Sequence, residues 1–151
     1  MTKDERIEAL AEEIMRKGEL VNYELIDLAA GGHMSMFHIG LSDEELVRRA
    51  QREHKVCSTF ASKNEFNIAL DCMFSSKYEA KRLAKWVLDP AATPRKESGD
   101  FCDETLGRII KKNGAIKSVS AYNFILQKKG SDYRNKITGL PFDFITATVE
   151  E

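Results

Sequence analysis

Gly31-Gly32-His33-Met34-Ser35-Met36-Phe37-His38-Ile39-Gly40-Leu41-Ser42-Asp43-Glu44-Glu45-Leu46-Val47-Arg48-Arg49 joins a glycine pair to two of the chain's three histidines, then to a helix start. Ser42-x-x-Glu45 has the form of a capping box, in which hydroxyl and carboxylate satisfy the orphan N–H groups of a first turn. Leu46, Val47 and Ala50 then face inward, and Arg48 and Arg49 point about 100° apart. Two imidazoles beside a guanidinium are equipped to break a phosphodiester without a metal: one base, one acid, and a cation for the developing charge. The five-residue separation of His33 and His38 does not match the i, i+4 pair of a helical zinc site. Neither has the adjacent Glu of a metalloprotease.

Upstream, Thr2-x-x-Glu5 is a second capping box. Ile7, Leu10, Ala11 and Ile14 follow as an apolar stripe that Gly18 can end. Leu25, Ile26 and Leu28 predict a short second helix. Downstream, Val56 to Phe60 reads as a short extended link. Ser62-x-x-Glu65 opens a helix with Phe66, Ala69, Leu70 and Met73 on one side, and Ser76-x-x-Glu79 opens another that Asp89-Pro90 stops. Residues 89–100 read as a loop by composition. Beyond them the pattern turns to β: Ser118 to Gln127 and Leu140 to Val149 as strands, Arg108 to Lys112 as a further candidate, and Lys128 to Gly139 as a long hairpin loop. Helices first and antiparallel strands after predict an α+β fold.

The chain has 151 residues, 42% of them hydrophobic, which suits one domain with a real core. No apolar run approaches the roughly 20 residues of a membrane span. Met1-Thr2-Lys3-Asp4-Glu5-Arg6 lacks the charged-then-apolar order of a signal peptide, as would a domain cut from a larger secreted protein. Cys57, Cys72 and Cys102 match no zinc or redox spacing and read as free, mostly buried thiols. The net charge of −1 excludes a uniformly basic nucleic-acid binder, but the charge is uneven. Residues 1–30 carry eight acidic and four basic side chains, and residues 108–136 eight basic and one acidic. A local basic face can bind phosphates on a neutral chain, although lysines at loop and strand ends also serve solubility.

His38-Ile39-Gly40-Leu41-Ser42-Asp43, Leu46, Arg49, Ser58-Thr59-Phe60, Trp86 and Phe144-Ile145-Thr146-Ala147-Thr148, in that order and spacing, resemble the bacterial ribonuclease A-like toxin domains. Those domains end contact-dependent growth inhibition proteins and related polymorphic toxins. The resemblance covers roughly residues 31 to 149. It implies a ribonuclease A-like fold without the disulfides of the vertebrate enzymes, over residues 31–151. Residues 1–30 would be an N-terminal helical extension, either an entry or linker segment or an added helix packed on the core. It implies no cofactor, an RNA substrate and a cognate immunity protein. It also implies a carrier exoprotein upstream, with delivery from the producer's surface or secretions into the target-cell cytoplasm.

The site residues follow the same resemblance. His38 matches the family's catalytic histidine, as general base on the ribose 2′-hydroxyl or general acid on the 5′-oxygen; its unperturbed pKa of about 6.5 suits either. His33 is the candidate partner. Arg49, eleven residues on, would hold the scissile phosphate, with Arg48 as the alternative and an ordinary helix pair with Glu45 as the plain reading. Thr146 matches the family's threonine. Thr148 stands where the family often has an aromatic; two residues apart on a strand, both hydroxyls share a face. Tyr122 is the candidate replacement for that aromatic. Ser58 and Thr59 would fix the loop near the site, with Phe60 in the core, and Lys117, Lys128 and Lys129 are candidate backbone contacts. His54, at a charged helix end, is left out. The competing functional readings are an RNA-binding or adaptor module without catalysis and a helical interaction domain with incidental histidines.

Overall fold

The computed structural model describes residues 1–32 and 39–151, so His33 and His38 lie outside the described residues. Five helices are described: α1 (Lys3–Gly18), α2 (Tyr23–Ala29), α3 (Asp43–Glu53), α4 (Lys63–Phe74) and α5 (Lys77–Leu88). Six strands accompany them: β1 (Cys57–Phe60), β2 (Arg95–Phe101), β3 (Gly107–Ile110), β4 (Ile116–Val119), β5 (Ala121–Lys128) and β6 (Phe142–Glu150). The fold is α+β. None of the three cysteines is disulfide-bonded, and no described helix is long and apolar enough to cross a membrane.

Each predicted cap does its local work. The Thr2, Ser42 and Ser76 hydroxyls accept the N–H groups of Glu5, Glu45 and Glu79. Ser62 instead accepts from Asn64 N, one residue earlier, and donates to the Glu65 carboxylate. The sequence reading missed Asn22, whose side-chain oxygen accepts Leu25 N at 3.0 Å and starts α2. Capping changes of this kind typically cost about 1 kcal/mol each when removed.

The strands depart from expectation in three places. Ser118 to Gln127 is not one strand. The chain changes sheets at Ser120, so β4 closes a β1–β3–β4 sheet and β5 is the centre of a β2–β5–β6 sheet. Both are antiparallel. Residues 95–100, expected in a loop, belong to β2: as an edge strand it takes its ladder from β5 and buries only Ser98, so it shows no apolar alternation. Val56 to Phe60 is more than a link, because Cys57 to Phe60 pair with Ile110 to Gly107. Gly107 allows that pairing, since a Cβ there would overlap the Thr59 carbonyl oxygen.

One face of the larger sheet carries Tyr122, Phe124, Leu126, Phe142, Phe144, Ala147 and Val149 into the main core. Phe66 from α4 joins Phe60 and Phe124, with ring centroids 5.1 and 5.6 Å apart in edge-on contact. Ile7, Leu10, Ala11 and Ile14 of α1, with Tyr23 and Ile26 of α2, lie in the same core. Arg134 in the β5–β6 loop is held to Glu13 at 2.6 Å, and Lys17 donates to Gly139 O at 2.8 Å, so α1 also braces that loop.

Candidate active site

The chain that follows His38 is stitched onto β1. Ile39 bridges Phe60, Gly40 N donates to Phe60 O at 2.8 Å, and Leu41 N donates to the Thr59 hydroxyl at 3.1 Å. Gly40 has φ +70°, a left-handed value that disfavours side chains. Thr59 in turn donates to Phe60 O, and both residues are fully buried. Arg108 on β3 completes the clamp by donating to Leu41 O and pairing with Asp43. Thr59, Phe60 and Arg108 thus fix the entry to α3, while Ser58 pairs with Ile109 in the ladder.

On α3, Leu46 is fully buried and Arg49, three residues on, is half-buried on the same side. Arg48 is exposed. Cys57 faces this side: burial and then Glu53, whose carboxylate it contacts at 3.4 Å, push its thiol pKa up, while Lys55 and Arg49 oppose the shift. The Glu45 carboxylate accepts the Ser42 hydroxyl at 3.0 Å. His54 caps α3 in a left-handed conformation, φ 54°.

Thr146 and Thr148 lie on the face of β6 opposite the core, both half-buried. Register extends that face across the sheet: Thr146 is beside Ile125 and then Glu97, and Thr148 beside Asn123 and then Gly99. Asn123 is only 9% exposed, and its amide donates to Glu97 at 3.0 Å. The sequence reading missed it; the signal was a polar residue in a strand otherwise almost wholly apolar on both faces. Tyr122 cannot replace the family's aromatic. It lies on the opposite face, 3% exposed against Phe124, where burial pushes its hydroxyl pKa up. The exposed aromatic on the threonine face is Phe101 at the end of β2, 72% exposed.

The basic run 108–136 is not one binding face. Six of its eight cations are engaged within the protein: Arg108 as above, Lys111 and Lys117 with Glu151, Lys128 with the Trp86 and Asp89 carbonyls, Lys129 with Asp143, and Arg134 with Glu13. Asp143 shows how these groups order the loop. Burial would raise its pKa, but hydrogen bonds from Asn135, Tyr133 and Lys129 together hold it below the usual carboxylate value. Among the described residues no three His, Cys, Asp or Glu side chains converge as metal ligands would.

Comparison with known proteins joins these pieces. The crystal structure of a CdiA-CT/CdiI complex from Y. kristensenii 33638 matches with a TM-score of 0.62 at 14% identity, over 76% of this chain and 95% of that one. At that identity the likeness is one of fold. No protein of curated function matches in sequence. The sequence model of the bacterial CdiA-CT RNase A domain matches residues 32–139, a span that includes His33, His38 and Arg49 and ends before Thr146 and Thr148. Over most of its length, therefore, this chain belongs to the bacterial CdiA-CT RNase A domain family.

Proposed function

We propose that the protein is a metal-independent endoribonuclease toxin domain. The ribose 2′-oxygen attacks the adjacent phosphorus, the bond to the 5′-oxygen breaks, and a 2′,3′-cyclic phosphate remains. One of His38 and His33 takes the 2′-hydroxyl proton and the other supplies the proton to the departing 5′-oxygen. Arg49 and Thr146 steady the phosphate as negative charge gathers on its non-bridging oxygens, and Thr148 and Asn123 extend the same polar face. The observation that carries this reading is the family match over residues 32–139, the span that contains His38 and Arg49.

A similar protein of known structure is a CdiA-CT domain in complex with CdiI. By analogy, a cognate immunity protein neutralises this domain in the producing cell. A carrier exoprotein presents it at the cell surface, and it acts in the target cytoplasm. Residues 1–30 are then an extension packed on a toxin domain of residues 31–151.

A second reading, a catalytically silent RNA-binding or protein-interaction module of the same fold, draws on one observation: Thr148 stands where an aromatic is expected. The two separate on incubation of the protein with bacterial RNA in excess EDTA, beside a His38→Ala variant. Cleavage to cyclic-phosphate ends, slowed about 10²–10⁴-fold in the variant, supports the enzyme. RNA bound but left intact by the folded protein supports the silent module.

A further inference from the structure

Outside the basic run, a cleft of about 690 Å³ lies between α5, the turn after it and the start of β2. Arg82, Lys85, Arg95 and Lys96 line it against two carboxylates, Asp89 and Glu97. Both acids also hold neutral groups: Asp89 accepts Ala91 N at 2.9 Å, and Glu97 accepts the Asn123 amide, so neither carboxylate is tied to a cation of the cleft. Arg82 is held by Glu79 through two hydrogen bonds of 2.9 and 3.2 Å. Among the described residues, that leaves Lys85, Arg95 and Lys96 facing the cleft without a carboxylate of their own. Lys96 is half-buried, and its pKa is lowered by burial and by Arg82 at its side, with Glu79 opposing. The cations outnumber the carboxylates along the cleft, and an anion placed among Lys85, Arg95 and Lys96 would be attracted by all three.

The cleft also touches the candidate active site. Its lining includes Glu97 and Ile125, and the cross-strand row Glu97–Ile125–Thr146 leads straight to the catalytic candidate on β6. Two strand spacings, about 10 Å, separate the two ends of that row. A chain with an anion at each repeat can span from Thr146 past Glu97 to the cations at the β2 edge; an isolated anion would reach only one end.

We propose that this cleft is a second phosphate subsite for RNA, in which Lys85, Arg95 and Lys96 hold a backbone phosphate outside the cleaved linkage. The proposal rests on the ribonuclease reading for its substrate. It adds a specificity: preference for RNA strands long enough to reach from Thr146 to the β2 edge. The lysines and arginine meet the backbone, so the preference is for length and charge and not for sequence.

The test compares wild type with a Lys85→Ala/Lys96→Ala double variant on two substrates, a dinucleoside phosphate and an oligoribonucleotide of about eight nucleotides. The expected result is unchanged kcat/KM on the dinucleotide and a loss of about tenfold or more on the longer strand. The slope of log kcat/KM against log salt on that strand should shrink by about 0.7 for each phosphate that the variant no longer neutralises. Equal loss on both substrates, or no loss on either, overturns the subsite. Should wild type cleave neither, the ribonuclease reading has failed on its own terms. Anisotropy binding of the same oligonucleotide, fluorescently labelled and 2′-deoxy throughout, then decides the cleft. Weaker binding by the double variant supports it; equal binding overturns it and leaves the cleft to a protein partner.

Discussion

The β2–β5–β6 sheet and the β1–β3–β4 sheet each have three antiparallel strands, but they are anchored differently. The first has strands of seven, eight and nine residues, and one face of β5 and β6 lies in the main core. The second has three strands of four residues. Its inner face also meets the main core, through Phe60, Ile109 and Val119, but α3 on its other side rests on a small separate cluster of Leu46, Cys57 and Ile110. The candidate site draws from both: Thr146 and Thr148 from the long-stranded sheet, Arg49 from the lightly held helix. Of the two groups assigned to the phosphate, Arg49 thus sits on an element held mainly by a few apolar contacts and by the Arg108 clamp.

The comparison breaks most visibly at Phe124, which is fully buried between Phe66 and Phe144. Phe124→Ala should cost about 3–5 kcal/mol, seen as a lower midpoint in denaturant with loss of structure throughout. A shift under about 1 kcal/mol would show that this core can close over the gap. Leu46→Ala, also at a fully buried position, should cost about 2–3 kcal/mol but act locally. Hydrogen exchange is then expected to quicken in α3 while β5 and β6 amides stay protected; equal loss in both would make the molecule one cooperative unit. Arg108→Ala removes the bonds to Leu41 and Asp43 and should cost about 1–3 kcal/mol. Its mark would be a drop in RNA cleavage larger than its drop in stability, and retained activity would show that the clamp does not set the site.

The smallest effect is a pH effect in the N-terminal brace. Burial would raise the Glu13 pKa, but the Arg134 and Lys17 hydrogen bonds together hold it below the ordinary carboxylate value. A lowered folded pKa contributes stability above the unfolded value, about 4.3, and loses it as pH falls through the lowered value. Glu13→Gln should therefore lower stability at pH 7 by no more than about 1 kcal/mol and make little difference in strong acid. An equal loss at both pH values would assign the effect to packing.

What was legible in the sequence was local. A serine or threonine three residues before a glutamate caps its own helix whatever the rest of the chain does, and those helix starts were read where they stand. Pairing between distant segments was harder to see. β2 is polar because its side chains need not enter the core, and nothing within residues 89–100 announces that β5 lies alongside. The change of sheets at Ser120 falls inside a continuous β-rich run. The basic run misled for the same reason, since neighbours in sequence are spread over two sheets and a loop. The cationic cleft instead joins α5 to β2. At the site, Thr146 and Thr148 shared a face because strand periodicity is local. Tyr122 was misplaced because its face is set by alternation with Phe124 and Leu126, which look to the core.

The central claim is that the 2′-hydroxyl is the nucleophile. Its most direct test is an oligonucleotide with ribose throughout, incubated with the protein in excess EDTA beside the same strand carrying a single 2′-deoxy position. The account predicts cleavage at that linkage in the all-ribose strand and none there in the other. Cleavage after the 2′-deoxy nucleotide would contradict transphosphorylation and point to attack by water.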